Sequence, residues 1–121
     1  MSLELANDLG HIEVANEVLA TIAGAAAMDC YGLVGMASRS QLKDGITELL
    51  KRENLSKGIE VRIERGEVVV DMYIIVGYGT KISEVAHNVQ SKVKYTLKQL
   101  VGIEVNRVNI FVQGVRLVNE D

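Results

Sequence analysis

The chain has 121 residues, the size of a single domain, and 48% of them are hydrophobic, enough to bury a core. A formal charge of −3 excludes the broad basic surface with which proteins bind nucleic acid by bulk attraction, and Cys30, the single cysteine, excludes an internal disulfide. The sequence has no apolar run of about eighteen residues and no signal-like start, so we expect one cytoplasmic domain over residues 1–121, without direct membrane insertion.

The first predicted elements are a short strand and a helix. Residues 10–14 alternate in polarity, which is typical of a strand. From Ala15 the apolar residues recur at helical spacing, in a stripe of Val18, Leu19, Ile22, Ala23 and Ala26. The small residues of "AGAAAM" predict close packing on a sheet, which would also explain Gly24, since glycine costs about 1 kcal/mol in a helix relative to alanine. "YGLVGMAS", residues 31–38, then predicts a buried strand.

A second helix and a hairpin follow. "QLKDGITELLKREN", residues 41–54, has apolar residues at helical spacing. "GIEVRIE" alternates in polarity, "RG" forms a turn, and "EVVVDMYIIVGYG" returns as a second strand. The returning strand is apolar on both faces, which predicts a central strand covered on both sides.

The last two elements are a long helix and a strand. Thr80 is expected to cap the helix N-terminus and Gly102 its C-terminus. The inward stripe of this helix is Ile82, Val85, Ala86, Val89, Val93, Thr96, Leu97 and Leu100. In the final strand the inward set changes from odd to even numbers, which predicts a bulge or a strand break near Asn106 and Arg107.

Taken together, the predicted order is β-α-β-α-β-β-α-β. Such an order is typical of an α+β fold, a two-layer sandwich in which helices cover one face of a mixed sheet.

The side chains that carry chemistry are few and scattered. The histidines are His11 and His87, and Glu84 with His87 forms one E-x-x-H pair, whereas di-metal sites need several such pairs from different helices. Cys30 lies between a helix end and an apolar strand, which favours a small buried side chain over a nucleophile. No Ser-His-Asp order, C-x-x-C, H-E-x-x-H or P-loop is present. We therefore predict no catalytic residues, no metal site and no cofactor.

The loop "VGYGTKI", residues 76–82, has glycines between a strand and a helix, as phosphate-binding loops do. It lacks the third glycine and the distant acidic partner of a dinucleotide site. A tight turn followed by a helix cap is therefore the favoured interpretation.

The long helix also carries a row of lysines, Lys81, Lys92, Lys94 and Lys98. We interpret this row as a solvated helix face, with an acidic partner or a membrane surface as the alternative.

Three stretches together resemble a known family. They are "GHIEVANEVLATIAGAAAMDCYGLVGM", "KGIEVRIERGEVVVDMYIIVGYG" and "YGTKISEVAHNVQSKVKYTLKQLVGIEVNRVNIFVQGVR". They resemble the alkaline shock protein 23 family of Gram-positive bacteria, in its compact YloU-like branch, over residues 10–116. The resemblance implies a non-enzymatic protein of the cell-envelope stress response, with self-assembly and a membrane-anchored protein partner. This chain departs from the longer members in lacking their extended charged tails, so the resemblance does not by itself extend membrane tethering and filament formation to this branch.

The residue pattern itself predicts an interaction surface. Val69, Tyr73, Ile75 and Phe111 lie on the strand faces opposite the main inward set, so helices on one side of the sheet would leave them exposed. We expect these four residues to be an interface through which the protein forms a homo-oligomer. Two alternatives stay open: an RNA-binding module, disfavoured by acidity and few aromatics, and a small-ligand (fatty-acyl) accessory protein, since apolar pockets leave little trace in a sequence.

Overall fold

A computed structural model describes residues 2–38 and 52–117. Its elements are β1 (Ser2–Asn7), β2 (Gly10–Ala15), α1 (Asn16–Met28), β3 (Leu33–Met36), a 3-10 helix (Arg52–Gly58), β4 (Ile59–Glu64), β5 (Glu67–Gly77), α2 (Ile82–Val101) and β6 (Arg107–Arg116). Both helices pack on one face of a mixed sheet, so the predicted α+β class is confirmed. The helix predicted over residues 41–54 falls largely outside the described residues.

Strand β5 is the centre of the main sheet. It pairs in parallel with β6 from Val69 to Gly77, antiparallel with β4 up to Met72, and antiparallel with β3 from Ile74 to Val76. A strand has only two edges, and β6 occupies one of them along both stretches. Strands β3 and β4 therefore share the other edge, end to end.

The core lies between this sheet and the two helices. The even-numbered side chains of β5 face the helices, and Val70, Met72 and Ile74 are fully buried there. From α2 the buried residues are Val85, Val89, Val93 and Leu97, spaced three to four residues apart as one helical stripe requires. The expected ends of that stripe, Ile82 and Leu100, are exposed, because the helix extends beyond the sheet it covers.

Helix α1 is buried along its small residues. The buried residues are Leu19, Ala20, Ala23, Gly24, Ala26 and Ala27. A Cβ atom added at Gly24 would lie 3.0 Å from Cβ of Leu55 and 3.2 Å from Cδ1 of Ile59, which confirms the close packing predicted there. Val18, expected in the stripe, is 48% exposed, because the small-residue face gives the closest approach and turns Val18 outward.

A hairpin that the sequence prediction missed precedes the predicted first strand. Strand β1 pairs antiparallel with β2, and the backbone N–H of Leu9 donates to Oδ1 of Asn7 at 2.9 Å in the turn between them. Leu3, Leu5 and Val14 pack from the hairpin against the core. The alternation in "SLEL" and the turn residues Asn7 to Gly10 were the available signal.

The two predicted caps of α2 have different outcomes. The predicted role of Thr80 is wrong: the N-cap is Lys81, which makes no side-chain cap bond, and Oγ1 of Thr80 donates to the carbonyl of Gly77 at 2.7 Å. Gly102 is confirmed as the C-cap. It lies in the left-handed region at φ 83°, and its N–H donates to the carbonyls of Leu97 and Lys98 at 3.2 and 3.0 Å.

The expected bulge or break near Asn106 is corrected, because the final strand does not start at Ile103. Ile103 and Val105 are buried in an irregular connection, and β6 begins only at Arg107. Two hydrogen bonds hold Asn106 against β5. Its backbone N–H donates to the carbonyl of Val68, and its Oδ1 accepts the N–H of Val68, both at 2.9 Å. The irregularity within the β5–β6 ladder itself lies further on, between Ile74 and Ile75.

Replacing Gly102 by valine is expected to destabilise the fold. A β-branched residue in the left-handed region costs on the order of 1–2 kcal/mol or more, although there is open space around this position. The measurement is the urea denaturation midpoint. Gly102→Asn is the control, because asparagine tolerates this conformation better, and an equal loss in both variants would contradict a backbone cause.

A second substitution tests the packing of α1 against the 3-10 helix. We expect Gly24→Val to lower the free energy of unfolding by about 1–3 kcal/mol, because its side chain overlaps Leu55 and Ile59. Ala25→Val, at the exposed neighbouring position, introduces the same residue with only its small cost in helix propensity. Equal urea midpoints for the two variants would show that the contact at Gly24 is not tight.

Candidate interaction surface

The face of the main sheet that points away from the helices is named here the outer face. The pairing registers of β4, β5 and β6 place on it Glu60, Arg62, Glu64, Glu67, Val69, Asp71, Tyr73, Ile75, Arg107, Asn109 and Phe111. Charged and amide side chains occupy the end near the β4–β5 turn, and the two aromatic side chains lie further along β5 and β6. The outer face is therefore divided into a polar half and an aromatic half.

The polar half is organised around one buried carboxylate. Asp71 is 7% exposed, and its Oδ2 accepts Nε of Arg62 at 3.0 Å while Nη2 of Arg62 lies 2.9 Å away. Its Oδ1 accepts Nδ2 of Asn109 at 2.9 Å. Arg62 also contacts Glu64. A single side chain thus links all three strands, and its lone pairs are occupied rather than available to a substrate.

Sequence reasoning missed this network, although a signal was present. Asp71 is the only charged residue in an otherwise apolar run from Val68 to Val76. A buried acid in a central strand needs a charged or hydrogen-bonding partner, and the "RG" turn sets the register that brings Arg62 close. Asn109 could not have been identified in this way, because the β5–β6 register depends on where β6 begins.

The aromatic half consists of two stacked rings. The centroids of Tyr73 and Phe111 are 5.0 Å apart and their planes differ by 18°. The two residues are direct register partners across β5 and β6, and they share one face of the sheet as the sequence predicted. Phe111 is 41% exposed and Tyr73 is partly buried. A large apolar ring that is open to solvent, on a strand with one partner strand among residues 2–38 and 52–117, is a feature of interaction surfaces.

Two of the four predicted interface residues are not exposed. Val69 is 1% exposed and Ile75 is 0% exposed, so the expectation of a four-residue exposed patch is corrected to Tyr73 and Phe111. For Val69 the reason is that β5 has neighbouring strands on both edges, whereas the register partners of Ile75 are Gly35 and Gly114, which have no side chains to cover it. On the outer face Val69 lies between Arg62 and Arg107, whose long side chains flank it. Periodicity in the sequence predicts which face of the sheet a residue lies on, but it does not predict which residues will lie beside it. The interface role of Tyr73 and Phe111 stays a prediction.

The candidate chemical groups are dispersed. His11 lies on β2 and His87 on α2, both exposed. Burial raises the pKa of the Cys30 thiol, an effect that nearby Lys92 partly opposes. At neutral pH this favours the thiol over the nucleophilic thiolate. Among residues 2–38 and 52–117, no three His, Cys, Asp or Glu side chains are grouped as a metal ion would require.

The loop from Gly77 to Lys81 forms a tight turn. Gly79 has φ 91°, and the hydroxyl of Thr80 is directed back to the carbonyl of Gly77. A cavity of about 250 Å³ beside the loop is lined in part by Lys81 and Glu84. Because the Thr80 hydroxyl already donates to Gly77 and the Glu84 carboxylate lines the cavity, this loop is not favourable for binding a phosphate.

The lysine row is partly engaged within the molecule. Nζ of Lys98 lies 2.7 Å from Oε1 of Glu104, and this pair raises the pKa of Lys98 and lowers that of Glu104. Nζ of Lys94 lies 3.4 Å from the carbonyl of Asn106. These contacts are solvent-exposed and contribute little to stability. Within the described ranges, neither helix has the length and apolarity needed to cross a membrane.

The family model that matches the chain is that of the alkaline shock protein 23 family, described as having a cell envelope-related function, and it covers residues 4–117. The protein YloU of Bacillus subtilis (strain 168) is 61% identical over 119 residues, which are 98% of this chain and 99% of YloU. The protein Spy1614 of Streptococcus pyogenes serotype M6 is 39% identical over 121 residues, 100% of both chains. A stress response regulator gls24 homolog of Streptococcus pyogenes serotype M3 is 25% identical over 109 residues, 88% of this chain and 59% of that protein. No solved structure matches.

Removing the central carboxylate of the polar half is expected to destabilise the sheet. Asp71→Ala leaves Asn109 and the guanidinium of Arg62 without their shared acceptor, and we expect a loss of about 1–3 kcal/mol in the free energy of unfolding. Glu64→Ala, which removes the exposed partner of Arg62, is the control and is expected to change stability by less than about 0.5 kcal/mol. Chemical denaturation compares the two, and a neutral Asp71→Ala would contradict the network's structural role.

Proposed function

The chain belongs to the alkaline shock protein 23 family, and from this membership and the exposed aromatic pair we propose that it is a non-enzymatic, self-associating interaction module of the cell-envelope stress response. The observation that carries self-association is the stacked pair of Tyr73 and Phe111 on the outer face. Phe111 is 41% exposed and lies on β6, which has no second partner strand among the described residues. Covering such a ring with a second copy removes apolar area from water, which contributes about 25 cal/mol per Å².

The proposal of a non-enzymatic role is supported by how the reactive groups are placed. The two histidines are exposed on different elements, and burial raises the pKa of the Cys30 thiol. Asp71, the buried carboxylate, has both oxygens occupied by Arg62 and Asn109. A catalytic centre needs a nucleophile, a base and an electrophilic group that converge on one position. The described residues are better explained as structure and surface.

A role in stress response is supported by relatives rather than by a site. The family description is a cell envelope-related function, and one relative is named a stress response regulator homolog. We propose that this chain acts in the cytoplasm and reaches the envelope through a membrane-anchored protein partner. The support for that partner is the family's envelope-related function alone.

The surface cavities support this proposal over a fatty-acyl carrier. The cavity of about 900 Å³ at the β4–β5 turn is lined by Glu64, Arg65, Glu67, Asn106 and Arg107. Acyl chains require apolar walls, which these charged and amide side chains do not provide. The formal charge of −3 disfavours RNA, because binding to a phosphate backbone depends on an excess of basic groups.

Self-association through the aromatic half is testable by sedimentation. We expect the average mass of the wild-type protein to rise with concentration, and Tyr73→Glu combined with Phe111→Glu to abolish that rise, because the two carboxylates charge the proposed contact. Circular dichroism checks that the variant remains folded. Lys92→Ala with Lys94→Ala is the control, on the exposed face of α2, and is expected to behave as wild type. If only the lysine variant loses association, the interface lies on α2.

A further inference from the structure

The outer edge of β6 has no partner strand among the described residues. The strand pairs with β5 on its inner edge and is ten residues long. Exposed edges are usually protected by proline, lysine or inward charges. The segment from Val108 to Val112 contains none of these, and the charges of the strand are at its ends, Arg107 and Arg116.

Hydrogen bonds elsewhere show which backbone groups of β6 point outward. The N–H and C=O of Val68 face the β6 side of β5, and the carbonyl of Tyr73 faces β3. The backbone N–H and C=O groups of even-numbered residues in β5 therefore point towards β6. In a parallel pair the register partners of these residues in β6 direct their own N–H and C=O groups away from β5. The bond from Nε2 of Gln90 to the carbonyl of Val108, 2.9 Å long, agrees with this direction. Ile110 and Val112 consequently present N–H and C=O groups at the edge.

The same segment is apolar on both faces of the sheet. Phe111 lies on the outer face, and Ile110 and Val112 lie on the helix-facing side, where both are half-buried at the margin of the core. An added strand would cover the exposed part of all three side chains and satisfy the backbone groups between them. Main-chain bonds with alternate side-chain contacts are the general mode of strand addition.

We propose, building on the self-association put forward above, that a second copy of this chain pairs its β6 antiparallel with this edge, around a two-fold axis at Phe111. Two identical edges form a closed pair only by such a two-fold arrangement. Ile110 of each copy then exchanges two hydrogen bonds with Val112 of the other, and Phe111 lies opposite Phe111. The stack of Tyr73 and Phe111 continues across the axis, and the two sheets become one.

One existing contact favours this register over its neighbour. A pairing centred on Ile110 would need the carbonyl of Val108, which Gln90 occupies. A pairing centred on Phe111 uses Ile110 and Val112 instead. The irregularity of the β5–β6 ladder after Val112 limits the regular part of the new pair to the segment before it.

Area and charge both predict a weak dimer. A paired segment about 20 Å long and about 10 Å deep buries far less than the roughly 800 Å² per partner of a standard interface. Antiparallel pairing also brings the Arg107 end of one copy near the Arg116 end of the other, although Glu67 lies 3.6 Å from Arg107. Because salt screens this repulsion, dimerisation through β6 is expected to strengthen with ionic strength. If the copies instead associated through the lysine face and acidic groups, dimerisation would weaken as the ionic strength rises, because salt screens that attraction.

A proline substitution tests the edge without disturbing the inner ladder. Val112→Pro removes an outward N–H, and thereby two of the four proposed bonds, and we expect the dimer dissociation constant to rise about tenfold or more. The matched control is Ile63→Pro on β4, where the bond from Asn16 to the carbonyl of Val61 shows that odd-numbered groups also point outward. The control is expected to dimerise as wild type, and equal dimerisation of both variants overturns the edge proposal.

Cysteine cross-linking gives a second measurement that does not depend on how well the proline variant folds. In a Cys30→Ala background the chain has no cysteine. Phe111→Cys at the axis would place its Cα atoms about 4.5 Å apart, within disulfide reach, whereas Asn109→Cys would place them more than about 10 Å apart. We expect a disulfide dimer from Phe111→Cys alone on oxidation. A dimer from Asn109→Cys and none from Phe111→Cys would overturn the register.

The outcomes separate this inference from the proposed function. If the wild type stays monomeric at all concentrations, self-association and the β6 edge both fail. A third result is possible, in which the wild type associates and the two glutamate substitutions abolish association. If Val112→Pro then still dimerises as wild type and Phe111→Cys forms no disulfide dimer, the two copies meet through the outer faces of their sheets. The proposed function then stands and the edge proposal fails.

Discussion

The main sheet depends on strand β5, which is bonded along both edges by three other strands. Its eleven residues pair with β4 and β3 on one side and with β6 on the other, and the register shifts opposite Ile75 on both sides. The helix-facing side chains of β5 form the centre of the core, and Asp71 on the opposite face binds Arg62 and Asn109. Because pairing, core and polar network meet in one strand, a change in β5 affects all of them together.

Most of the fold could be predicted from patterns that depend only on neighbours in the sequence. The hairpin around "RG", the long amphipathic helix and the αL position of Gly102 follow from periodicity and from the conformational freedom of glycine. The cap at Thr80 could not be predicted, because its hydroxyl had an equally near acceptor in the carbonyl of Gly77. The burial of Val69 depends on which strands flank β5, and that information lies far away in the sequence.

The two halves of the outer face have different physical roles. In the polar half, charged groups are paired with one another within the molecule, which leaves them little to gain from a partner. In the aromatic half, Phe111 is 41% exposed beside an edge that has no partner strand among the described residues. The polar half therefore sets the alignment of the strands, and that alignment places the ring of Phe111 against Tyr73 in a defined geometry.

The connection between α2 and β6 is held at both ends by separate contacts. Gly102 ends the helix through bonds to Leu97 and Lys98, and Asn106 holds the start of the strand through two bonds to Val68. Between them Ile103 and Val105 are buried. Helix α2 is also bonded directly to this region, because Nε2 of Gln90 donates to the carbonyl of Val108 in β6 and Nζ of Lys94 lies 3.4 Å from the carbonyl of Asn106. The lysine face and the strand that carries Phe111 are therefore physically connected, so a displacement of α2 would act on the start of β6 as well.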